Sequence, residues 1–148
     1  METGVVKQQN GGELHYTITW SALQVADKYR IANSVPSESG IFELYYQDHL
    51  KQLHLFHVQR AWYGGLRSSL RKVTDPELCA DRRRRKVLEE YPCYYRYFVV
   101  QSFKDMSAIY HTFARKLLPR QAGFPSRDRA GREAVSIEEI SPDKIVTI

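Results

Sequence analysis

No apolar run in the chain exceeds a few residues, far short of the ~20 that a membrane-spanning helix needs, so no such span is expected. The opening METGVVKQQNGGE has no apolar stretch of the kind that marks a signal peptide, and a soluble, cytoplasmic protein follows as the expectation. Cysteine is scarce. Cys79 and Cys93 stand fourteen positions apart with no CxxC pair, which argues against a disulfide scaffold or zinc site and suits free thiols in a reducing compartment.

What is present is a foldable composition. The 148 residues make one domain with a single core and some remainder in tails. Hydrophobic residues make up 43% and charged residues 26%, near globular averages, while ten tyrosines help raise aromatics to 12%. The net charge of +5 is concentrated: residues 60–86 hold nine Lys or Arg against Asp75, Glu77 and Asp81, leaving the rest of the chain at −1. The nine are Arg60, Arg67, Arg71, Lys72, Arg82, Arg83, Arg84, Arg85 and Lys86. Such a segment favours anionic partners, nucleic acid (DNA or RNA) first among them and an acidic protein partner second. A solvated helix face is the alternative.

Along the chain, residues 1–12 show no apolar period, and a mobile start is expected. WSALQVADKYRIA (20–32) has apolar positions that fit one helical face, closed by Asn33 to Pro36. A turn over Pro36 to Gly40 leads into IFELYY, which with QLHLFHV forms an expected antiparallel hairpin. Trp62, Leu66, Leu70 and Val73 mark a helix stripe, in which Gly64 and Gly65 are out of place unless something approaches the backbone there. Thr74 or Asp75, with Pro76, begins a second helix running to about Glu90. YPCYYRYFVVQ is a strand, and residues 102–118 are an amphipathic helix capped by Ser102 or Asp105 and ended by Pro119. The charged, turn-rich RQAGFPSRDRAGRE reads as a linker or disordered tail, and VSIEEISPDKIVTI as either an edge strand or a partner-binding tail. The fold class is α+β, with a small three-stranded antiparallel sheet flanked by helices.

PSESGIFELYY followed by LHLFHVQ, an arginine-bearing helix, a third strand and a closing helix resembles the GIY-YIG nuclease domain over residues 35–118. Gly40-Ile41-Phe42 stands at the family's first triplet with phenylalanine for tyrosine, and Phe56-His57-Val58 at the second. A register using Tyr63-Gly64-Gly65 fits the letters better and the spacing worse. The resemblance sets the domain at 35–118, which leaves the mobile N-terminus at 1–12, a strand or helix extension at 13–34, and a linker and tail at 119–148. It also implies that Phe42, Phe56, Arg67 and Tyr110, at or near the family's active-site positions, converge on one concave surface, with Arg71 one turn beyond Arg67.

Phosphodiester hydrolysis in such a site needs a base, an oxygen-ligated divalent ion and a cation on the developing charge. Phenylalanine at 42 and 56 cannot transfer a proton, although Tyr45, Tyr46 and Tyr63 are nearby. No carboxylate lies between Met106 and Pro119, and His111 is a poor magnesium ligand. His54 and His57, three apart on a strand, should point to opposite faces. Asp27, Glu38, Glu43 and Asp48 show no pairing by spacing. Trp62 and the alternating Tyr94, Tyr95 and Tyr97 fit either core packing or base stacking. The leading reading is a catalytically degenerate GIY-YIG-like domain that binds nucleic acid and needs no cofactor. A divergent endonuclease using Mg or Mn and a protein-interaction module are the alternatives.

Overall fold

The computed structural model describes residues 3–117 and 134–145. The fold is α+β, with two sheets and four α-helices among those residues. In chain order the elements are β1 (Gly4–Asn10), β2 (Glu13–Thr19), β3 (Gln24–Val25), α1 (Lys28–Ser34), β4 (Gly40–Gln47), β5 (Leu53–Ala61), α2 (Gly65–Val73), α3 (Arg82–Glu90), β6 (Cys93–Val99), α4 (Phe103–Leu117) and β7 (Ala134–Ile140). The expected sheet is β6-β4-β5, fully antiparallel, and the two-residue β3 extends it at the β6 edge. A second sheet, β1-β2-β7, was not anticipated. Among the described residues, no helix is long and apolar enough to cross a membrane.

β4 is the central strand. Its first six residues, Gly40 to Tyr45, are buried because it has a hydrogen-bonded neighbour on each side and packed layers on both faces, which gives a continuous apolar run rather than an alternating one. One layer holds Ile31, Phe42, Leu44, Leu66, Leu70 and Tyr95 beneath α1 and α2. The other joins Ile41, Val58 and Phe98 to Tyr16, Ile18 and Trp20 and to Met106, Ile109 and Phe113 of α4. The Trp20 ring meets Phe98 edge-on, with centroids 4.8 Å apart.

Three sequence expectations are corrected. Where a mobile start was expected over residues 1–12, Gly4–Asn10 pair antiparallel with β2, and Gly11 at φ +60° makes the turn. The expected helix at 20–32 begins only at Lys28. Residues 20–26 instead run along the open edge of β6, where Ser21 N donates to Tyr97 O (2.7 Å) and Ala26 N to Cys93 O (2.8 Å). Asp27, which a longer helix would have made interior, is the N-cap and accepts from Tyr29 N. The helix expected from Thr74 or Asp75 to Glu90 is divided. Asp75 caps a 3-10 turn at Pro76–Leu78, and Asp81 caps α3 by accepting from the Arg83 and Arg84 amides.

A fourth correction concerns the histidines. Leu44 pairs with His57 but Tyr45 pairs with Leu55, so Phe56 is an extra residue in β5. This bulge inverts the alternation and puts His54 and His57 on one face. His54 stacks on Tyr46 at 4.7 Å, and His57 lies 6.2 Å from Phe42.

Residues 134–145 are tied into the core. β7 pairs parallel with β2, Trp20 N donates to Ile140 O (2.8 Å), and Leu23 N donates to an Asp143 carboxylate oxygen. That places the segment left open as strand or tail in a strand. Beneath it lies a buried ion pair: Arg96 Nε donates to Glu43 Oε1 at 2.8 Å, with Glu43 1% and Arg96 9% exposed. The Tyr45 hydroxyl donates to the same oxygen, and the guanidinium lies 4.0 Å from the Trp20 ring centroid. Glu139 of β7 completes the group, accepting from Trp20 Nε1 (2.8 Å) and standing 3.6 Å from Arg96. Burial and the Glu43 carboxylate both push the Tyr45 phenol far above its ordinary range, so it stays a neutral donor. The expected linker after Pro119 falls on residues outside those described.

Candidate nucleic-acid interface

The turn over Pro36 to Gly40 and the start of α2 form one local unit. Gly64 and Gly65 both take φ +79°, and a β-carbon at Gly65 would strike the Ser37 carbonyl. This is the close backbone approach that the two glycines implied. Gly65→Ala should therefore destabilise the protein by more than ~1 kcal/mol, through both positive φ and the clash, as a denaturant titration would show. Gly40 is constrained by space alone, since a β-carbon there would meet Phe98 O and the Leu66 side chain.

Leu66 N donates to Glu38 O (2.8 Å) and Arg67 N to Pro36 O (3.1 Å), so these amides at the start of α2 are already used by the turn. These two amides are therefore not free for a ligand. Arg67 Nε donates to Val35 O at 2.7 Å, which fixes the guanidinium while its terminal nitrogens have no partner among the described residues. It borders a groove of about 960 Å³ between α1, α2 and the 3-10 turn, with Lys28, Arg71 and Lys72 beside it. Four carboxylates, Asp27, Asp75, Glu77 and Glu89, also line the groove, so its formal charge balances. Asp27 and Asp75 are there as helix caps.

The positive charge continues onto α3. Arg67, Arg71, Lys72, Arg82, Arg83, Arg85 and Lys86 are exposed, and among the described residues none of them has a carboxylate within 4.0 Å. Arg85 folds back to donate Nη2 to Cys79 O at 2.7 Å. Arg84 is half-buried with its Nε unpartnered among the described residues, and its charge acts on His57. Arg60, adjacent to these cations in sequence, is separated in space. It lies on the opposite face of the sheet, 4.7 Å from the Tyr110 ring centroid.

The positions implied by the resemblance do not form one surface. Phe42 is fully buried under α1 and α2, and Phe56, the bulge residue, packs partly buried against the same layer. Arg67 is carried on the helix that covers them. Tyr110 packs into the other layer, across the sheet. His111 is exposed on α4, and no three His, Cys, Asp or Glu side chains are gathered as a metal site among the described residues. Tyr95 is fully buried and is a core residue rather than a stacking platform, while Trp62 is partly buried and packs edge-on against Phe103 at 5.2 Å.

His57 carries a pH dependence. Burial pushes its pKa below the ordinary 6.5 and the Arg84 charge adds to this, against an opposing hydrogen bond with Gln59 and the Asp81 carboxylate. The unfolded chain thus takes up a proton that the folded one refuses, and stability should fall as pH drops below about 6.5 towards the folded pKa. Asp48, held low by its His54 hydrogen bond, and Asp81, held low by the Arg84 and Arg83 amides, act in the same direction at more acid pH. Thermal melts between pH 7.5 and 5 should show a falling Tm in the wild type and a flatter profile in His57→Gln.

Lys28 was missed by the sequence reading because it lies outside the 60–86 segment and the longer helix expected there gave no reason to place it against α2. No curated protein and no solved structure matches the chain. A family model described as "Uncharacterised protein" matches residues 4–148, and the chain belongs to that family.

Proposed function

We propose that the protein binds nucleic acid through the exposed cations of α2 and α3, without hydrolysing it. The observation that carries this is the set of exposed cations on those helices with no carboxylate partner among the described residues. Cations so placed release counterions from a phosphate chain on binding. Arg67 is the best prepared of them: the Val35 carbonyl fixes one edge of its guanidinium and leaves the terminal nitrogens for a phosphate oxygen.

The element order from β4 to α4 supports a GIY-YIG-like descent. Phe42, buried beneath α1 and α2, and Tyr110, across the sheet from it, count against that descent, because the resemblance implies that these positions converge on one surface. We place the protein in the cytoplasm, where its two buried free thiols would stay reduced. The experiment is a fluorescence-anisotropy titration with labelled oligonucleotides at low salt. Binding should weaken steeply as salt rises, and Arg67→Ala should weaken it at every sequence tested. Binding that is unchanged by Arg67→Ala would count against this reading.

A further inference from the structure

Resting on that reading, we infer that the preferred ligand is single-stranded nucleic acid, with Tyr63 and Tyr29 as the residues on which unpaired bases stack. Tyrosine is normally at least half-covered, yet Tyr63 is 90% exposed and Tyr29 68% exposed. Each is next in sequence to a groove-lining residue, Tyr63 before Gly64 and Tyr29 after Lys28. The Lys28 ammonium lies 5.3 Å from the Tyr29 ring centroid, so a cation and an aromatic face stand together there.

The groove has the matching composition. Its four cations are balanced by four carboxylates, so the net attraction for a phosphate chain comes from the exposed cations of α3, and the groove itself contributes local contacts. Ala26, Pro76 and the 65% exposed Leu78 add apolar lining that a base can cover and a phosphate cannot use. Exposed aromatics combined with cations that contact the backbone are the general means of holding single strands without reading their sequence.

The test titrates the full chain with single-stranded DNA, single-stranded RNA and the corresponding DNA duplex, for the wild type, Tyr63→Ala, Tyr29→Ala and Tyr63→Phe. Both tyrosines are exposed, so the alanine variants should fold, which circular dichroism would verify. The expected result is tighter binding of single strands than duplex, weakened by about tenfold in each alanine variant, the fold-change of ~1.4 kcal/mol for a stacked base. Tyr63→Phe should retain wild-type affinity, and duplex binding should not respond to any of the three. Single-strand binding indifferent to both alanine variants, or duplex bound as tightly as single strands, overturns the inference and leaves phosphate binding by the α2 and α3 cations standing. Absence of binding to all three ligands at low salt overturns both.

Discussion

Glu43→Ala should lower the unfolding free energy by about 3–5 kcal/mol, the cost of leaving a buried charge without its partner. Glu43 is 1% exposed and is the nearest anion to Arg96, at 2.8 Å, while Glu139 stands farther away at 3.6 Å and is more exposed. The substitution also removes the acceptor of the buried Tyr45 hydroxyl. Replacing both partners, as Glu43→Leu with Arg96→Met, should recover part of the loss, because a desolvated ion pair is often no more stable than apolar residues of similar volume, while the Tyr45 hydroxyl still lacks its acceptor. Urea unfolding of the single and double variants measures both quantities. A cost below ~1 kcal/mol for Glu43→Ala would mean that the guanidinium is solvated rather than held between Glu43 and Trp20.

The second large effect is on binding. Neutralising Arg71, Lys72 and Arg83 together should weaken nucleic-acid affinity about a hundredfold at ~0.1 M salt and reduce the salt slope by about 2, since each lost phosphate contact removes ~0.7 from the slope for a single strand. All three are exposed and lack a carboxylate partner among the described residues, so their removal should leave the fold intact. Arg60→Ala is the internal control. It belongs to the same basic stretch of sequence but sits across the sheet beside Tyr110, and its loss should leave binding unchanged. An equal loss from Arg60→Ala would mean that overall charge matters and placement on α2 and α3 does not.

The legible parts of the fold were those where local pattern and tertiary environment agree. GIFELYY and CYYRYFV are rich in β-branched and aromatic residues and form β4 and β6; Leu66, Leu70 and Val73 are buried at helical spacing in α2. The misread parts were settled by partners distant in sequence. Residues 20–26 carry a helix-like apolar pattern, but the unpaired edge of β6 offered Tyr97 and Cys93 carbonyls for their amides. β1 has little apolar period because most of it is exposed, and β7 finds β2 across more than a hundred residues. The bulge at Phe56 has no sequence mark, yet it decides which way His54 and His57 face.

The candidate site divides in the same way. The cations of α2 and α3 were visible in composition, but composition could not separate Arg60 from them or bring Lys28 to the groove. The Glu43–Arg96 pair did leave a signal: each is a lone charge inside an otherwise apolar strand, and two such charges on paired strands need each other. The exposure of Tyr29 and Tyr63 left none, because a tyrosine beside a helix start reads equally well as core.

The most direct measurement is an anisotropy titration of the wild type and the Arg71, Lys72, Arg83 triple variant with a labelled single strand, repeated between about 50 mM and 200 mM salt. Wild-type binding that falls steeply with salt, together with a weaker and shallower dependence in the variant, is the expected result. No binding by the wild type at about 50 mM salt, or the same affinity and slope for both proteins, would contradict it.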